Sequence, residues 1–172
     1  MQARSAKVPM QTLRPMTEAE YAGWLPATIT EYAAQKVEAG SWAAEEAQER
    51  SAKECAGLLP QGVATPDQHL YAICNAAGER VGWLWFAVTQ RFGKRVAYVF
   101  DVSVLPEHQR QGHARRALQA LEPRVQALGL AGVALHVFGH NGAARALYAG
   151  LGYEPTNLNL FKPVADVPPS LQ

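Results

Sequence analysis

Between His69 and Val104 the chain carries three apolar runs, "HLYAIC", "VGWLWFAVT" and "RVAYVFDVSV", linked by the turn-forming stretches "NAAGER" and "RFGK". Links this short return a strand beside its predecessor in the opposite direction, because a parallel return needs a crossover of roughly a dozen residues or more. The three runs therefore predict an antiparallel meander at the centre of a sheet. β-Branched and aromatic residues, which suit a pleated and half-buried surface, crowd all three.

On either side the periodicity changes. Upstream, "QTLRPM" reads as a short first strand, and Thr17 followed by Glu20 is a capping-box signal. Tyr21, Trp24, Leu25 and Ile29 recur at helical spacing, so a helix is predicted to about Ala39, bent at Pro26 and stopped by Gly40. Ser41 is placed to cap a second helix, "WAAEEAQERSAKECAGLL", which ends at Pro60; "PQGVATPDQ" is a loop. Downstream of the meander come a long helix with a kink at Pro123 and a strand, "AGVALHVF". A short helix opened by Asn141 and a last strand, "NLNLFKPV", complete the pattern. The order is strand, two helices, three strands, helix, strand, helix, strand: an α+β fold on a mixed, mostly antiparallel sheet flanked by helices. A chain of 172 residues holds one such domain, so residues 1–172 are read as a single unit. A leader at about residues 1–9 and a tail at about 165–172 are expected to be loosely held.

The meander hands over to the long helix through "QRQGHAR", Gln109 to Arg115. A glycine at a strand-to-helix junction lets backbone N–H groups converge on one point, where the helix dipole favours an anion. The chain as a whole does not gather anions: its formal net charge is +1, too little for the long-range field of a nucleic-acid binder. No apolar stretch is long enough to span a membrane. Cys55 and Cys74 lie far apart and form no C-x-x-C pair, so they read as reduced thiols of a cytoplasmic protein, with no metal site.

The junction reads Gln109-x-x-Gly112-x-Ala114 and follows a strand ending Val102-Ser103-Val104; further on comes "LHVFGHNGAARALYAGLGYE". This pair resembles the GNAT superfamily of N-acetyltransferases, whose acetyl-CoA motif is Gln/Arg-x-x-Gly-x-Gly/Ala, and in particular the ribosomal-protein-alanine N-acetyltransferases. Asn141, Tyr148, Gly152 and Tyr153 occupy the positions of its second motif. The likeness runs from about His69 to Lys162 and is weak over the first two helices. It implies a sheet with a splayed strand pair that takes acetyl-CoA, the acyl donor. The pyrophosphate would lie on the backbone from Gln111 to Arg115, His113 and Ala114 included, with Gly112 allowing close approach and Arg110 and Arg115 adding charge. Pantetheine would pair with main-chain groups about Val102, Ser103 and Val104, and Asn141 and Ala144 would complete the cofactor's contacts.

By the same resemblance, Tyr148 supplies a proton to the departing CoA thiolate. The base has two candidates. His136 stands five residues before Asn141, where those relatives carry Glu, and an imidazole can accept a proton near neutral pH. Asp101 competes: on a regular strand it shares a face with Val99 and Ser103, where a carboxylate needs a partner or a cleft. It could act directly or through a water relay. Tyr21, Trp24, Tyr32, Trp42, Trp83 and Trp85 could line an acceptor pocket, although core packing accounts for each, and Glu45, Glu46 and Glu49 could attract an amine or form a solvated helix face. The expected activity is direct acetyl transfer to a primary amine of a small molecule, peptide or protein, with homodimerisation open. The competing expectation is a non-catalytic acyl-CoA-binding or sensing domain that kept the cradle and lost the chemistry.

Overall fold

The structure, a computed structural model, describes residues 12–163. The expected leader and tail lie outside the described residues. Strand β1 (Leu13–Pro15) leads to helix α1 (Glu18–Glu38), whose start carries the capping box that its sequence predicts. Glu20 N–H donates to Thr17 Oγ1 at 3.2 Å, and Thr17 N–H donates back to Glu20 Oε2 at 3.0 Å. Helix α2 (Ala44–Leu58) follows, then strands β2 (Gln68–Cys74), β3 (Arg80–Arg91) and β4 (Lys94–Val104), helix α3 (His113–Ala127), strand β5 (Val133–Leu135) and helix α4 (Gly142–Ala149). Pro26 and Pro123 lie inside α1 and α3, which continue through them.

The strands form one sheet in sequence order, β1-β2-β3-β4-β5. The first three pairings are antiparallel, as the short links require, and β4 with β5 is parallel, joined through α3. One face packs on α3: Leu84, Phe86 and Val99 meet Ala117, Leu118, Leu121 and Val125, all buried. The other face packs on α1, where Trp24, Leu70 and Trp85 form a second buried cluster. Trp24 and Trp85 meet edge to face, their rings 5.6 Å apart.

Three expectations are corrected. Ser41 does not cap α2; Ala43 holds the N-cap position, and no side chain bonds the first turn. Strand β5 is only three residues long, so His136, Val137 and Phe138 lie beyond it. "NLNLFKPV" forms no strand over its described part: Leu158, Leu160 and Phe161 are exposed and unpaired in any ladder. An alternating apolar pattern signals a strand only where a neighbouring edge takes up its hydrogen bonds.

Candidate active site

The site is made by an irregularity in β4. Trp85 pairs with Asp101 but its neighbour Phe86 pairs with Val99, so Phe100 is an extra residue, a β-bulge. Pairing with β5 covers only Ala97 to Val99 and stops at the same place. Beyond the bulge, the edge of β4 that faces β5 is free of ladder partners among the described residues, and the two strands part. The splay that the resemblance implies thus begins at the bulge.

The bulge also re-aims Asp101, which corrects the expectation drawn from a regular strand. Val99 packs with Phe86 on the α3 side. After the extra residue, Asp101 faces the α1 side opposite Trp85, and Phe100 stacks on that same Trp85 ring at 4.6 Å. Ser103 does share the Asp101 face, and its hydroxyl donates to Asp101 Oδ2 at 3.2 Å.

Asp101 lines a groove of about 850 Å³ between α1 and the end of β4, bordered also by Trp24, Glu31, Trp83, Ser103 and Asn141. Loss of water raises the Asp101 pKa to about 6, and the charge of Glu31 pushes the same way; Ser103 and the Trp24 indole pull against them. The Trp24 N–H nevertheless makes no hydrogen bond of good geometry, although the nitrogen is fully buried. Tyr148, on α4, lies within reach of the Asp101 charge. Burial first, and then that charge, raise its phenol above the usual tyrosine range.

The glycine junction has the shape that its composition predicts. Gly112 is the N-cap of α3 with φ 79°, a left-handed conformation that suits glycine. A β-carbon there would come within 3.0 Å of Arg116 Nη1. The N–H groups of Gln111, Gly112, His113, Ala114 and Arg115 have no acceptor among the described residues, and the first amide bonded in the helix is that of Arg116, to Gly112 O. Five donors are thus left without partners among the described residues at the start of a fifteen-residue helix. Arg116 Nη2 donates to Gln111 O at 2.9 Å and bonds His113 Nδ1 at 3.0 Å, which fixes the turn.

Several candidate residues are already engaged. Arg115 Nη1 donates to Gly150 O at 3.2 Å, tying α3 to the end of α4, so its side chain is directed away from the free amides. Gln109 Nε2 donates to Val104 O at 3.0 Å, which occupies that carbonyl. Asn141 caps α4, its Oδ1 accepting from Ala144 N–H at 3.1 Å, while the residue also borders the groove. Arg110 sits in the turn with φ 63°. His136 is exposed beyond β5, edge-on to Phe138, and does not line the groove. Glu45, Glu46 and Glu49 are exposed as well. The helix acids that border the groove are Glu20 and Glu31, neither of which sequence reasoning placed there; the signal for Glu31 was the face it shares with Trp24 and Thr28 on α1.

Comparisons with known proteins agree with this architecture. The sequence pattern of the acetyltransferase (GNAT) family matches residues 25–153, and the chain belongs to that family as an N-acetyltransferase. Among its relatives is the uncharacterized N-acetyltransferase YycN of Bacillus subtilis, 35% identical over 87% of this chain and 96% of that protein. The crystal structure of YycN superposes with a TM-score of 0.81, covering 90% of this chain and 98% of YycN. YdgE of the same organism, also an uncharacterized N-acetyltransferase, is 33% identical over 88% of this chain and 96% of its own. The ribosomal protein bS18-alanine N-acetyltransferase of Escherichia coli is 36% identical over 52% of this chain and 66% of that protein.

Proposed function

We propose that this N-acetyltransferase takes its acyl group from acetyl-CoA and passes it directly to a primary amine held in the groove under α1. The observation that carries the reading is the row of unpaired amides from Gln111 to Arg115 beside the free edge of β4. An N-terminal cradle of this kind fits a diphosphate, and an open strand edge fits the amide-bearing arm that follows it. The left-handed Gly112 lets a phosphate oxygen approach where a β-carbon would crowd Arg116. When bound, acetyl-CoA supplies an electrophilic thioester carbon at the end of that arm.

The chain's own groups then account for the protons. Asp101, with a pKa of about 6, is largely ionised at neutral pH yet basic enough to take a proton from the acceptor ammonium, directly or through water. The freed nitrogen lone pair forms the N–C bond as the C–S bond breaks, and the second proton that the nitrogen sheds returns through water to the Tyr148 oxygen. Tyr148, whose burial keeps its phenol protonated, gives a proton to the leaving sulfur. His136 is the weaker base candidate because it stands in solvent away from the groove.

A thiol-release assay with acetyl-CoA and a panel of amines tests the reading. Release that depends on an amine supports transfer; acetyl-CoA binding with no release for any amine would favour a sensing domain. Tyr148→Phe should lower kcat about 100-fold and leave the KM for acetyl-CoA nearly unchanged.

A further inference from the structure

The two ends of Arg115 serve different elements. Its backbone N–H is the last of the free donors at the start of α3, while its guanidinium reaches α4 and donates from Nη1 to Gly150 O at 3.2 Å. Gly150 is the C-cap of α4 and stands two residues beyond Tyr148. The last carbonyls of a helix lack partners within it and carry the negative end of its dipole. A cation there fills an open acceptor and meets a favourable field. The contact is close: a β-carbon on Gly150 would come within 3.1 Å of Arg115 Nη2. No carboxylate competes for the guanidinium, since the ion pair among the described residues is that of Arg14 with Glu20.

Helix α4 has little else to fix it. It has eight residues, none of them buried, and a helix that short is marginal without tertiary support. Leu147 and Tyr148, with Leu151 just beyond, pack on the edge of the core. Its other side-chain hydrogen bonds are local: Asn141 caps its own first turn, and Arg145 Nη1 donates to Gly139 O in the preceding loop at 3.2 Å. Among the described residues, Arg115 makes the one side-chain hydrogen bond that ties α4 to another helix or strand. The cradle end of the tie is firm, because Arg116 holds both Gln111 O and His113 Nδ1.

We propose that Arg115 is a positioning residue that joins the donor cradle to the acid. Its amide meets the diphosphate of acetyl-CoA, and its side chain, through Gly150 O, sets where the Tyr148 hydroxyl stands relative to the thioester sulfur. The positive charge that the sequence suggests for the phosphates is thus used on α4. A proton donor misplaced by about 1 Å loses turnover heavily while the cradle amides stay where they are. This assignment rests on the acetyl-transfer reading above and on the part that Tyr148 plays in it.

The test is steady-state kinetics on the full chain, with acetyl-CoA, the most active amine of the panel and free-thiol detection. Arg115→Met removes the donors and keeps most of the side chain's length. It should lower kcat about tenfold and leave the KM for acetyl-CoA within about twofold. In a Tyr148→Phe background the same substitution should change kcat by less than about twofold, because no proton donor remains to be misplaced. Arg115→Lys, still able to donate to the carbonyl, should recover most of the loss. A rise in KM with kcat held would make the guanidinium a phosphate ligand and overturn the proposal. So would an equal loss of kcat in both backgrounds, which a general loosening of the fold produces, or no change in either constant; acetyl transfer would stand in each case. A native chain that releases no thiol with any amine overturns acetyl transfer and the coupling together.

Discussion

The two halves of β4 are built from similar residues and do opposite work. In its first half the strand pairs with β3 from Lys94 and on both sides from Ala97 to Val99, and Val96, Ala97 and Val99 are buried. From Asp101 to Val104 it pairs only with β3, the bulged Phe100 is 40% exposed, and Asp101 turns into a groove. The first half is held by shape and apolar contact. In the second, one extra residue stops the parallel ladder and leaves backbone groups and a carboxyl available. A site of this kind needs the first half to be rigid, because the bulge is aimed only as well as the strand it interrupts.

The comparison can be broken by substitutions that separate stability from turnover. Phe86→Ala, opposite Val99 in the buried half, should cost about 4 kcal/mol of unfolding free energy, the largest effect expected. Denaturant titration measures it. A loss under about 1 kcal/mol would mean that this half is not the packed frame described.

Asp101→Asn should act in the reverse sense, lowering kcat/KM about 100-fold at neutral pH while raising thermal stability. The sign follows from linkage. The folded pKa of about 6 lies above the ordinary aspartate value of 3.8, so the folded state binds the extra proton in that window. Stability from this group is present at low pH and is lost as pH rises from about 4 to about 6. The amide has no such loss. In the native enzyme, kcat/KM should fall on the acid side with an apparent pKa near 6. A melting temperature that drops in Asp101→Asn, or an acid limb unchanged by it, would separate this carboxyl from the chemistry.

Much of this arrangement was legible in the residues. Turn-length links fixed the meander, Gly112 marked the left-handed junction, and Thr17 with Glu20 marked the start of α1. What stayed hidden depended on tertiary register. The side of the sheet that Asp101 faces was misread because alternation holds only until a bulge, and the bulge at Phe100 shows only in its pairing with β3. Glu31 carried no signal of its own, because only the packing of α1 along the end of β4 brings it to the groove. "NLNLFKPV" failed for the converse reason: its pattern was suitable, but no edge takes it up over the described residues.

The smallest effect sharpens the contrast, because another carboxyl of the same groove, Glu20, is held under opposite conditions. Arg14 donates to it from two nitrogens, at 2.6 and 3.0 Å, and Thr17 adds its N–H. The bond to Arg14 is the main cause that lowers the Glu20 pKa to about 2, against the opposing effect of burial. Its contribution is therefore present above about pH 4.5 and is lost as pH falls toward 2, the reverse of Asp101. Because Arg14 is largely open to solvent, Glu20→Gln should cost only about 1 kcal/mol at neutral pH, a few degrees in melting temperature. Melting curves from pH 2 to 7 on the native chain and both variants separate the two groups. Glu20→Gln should flatten the acid end and Asp101→Asn the stretch from about 4 to about 6. If both variants altered the same window, the groove would hold one coupled pair of carboxyls, and the assignment of a lone base to the irregular half of β4 would be lost.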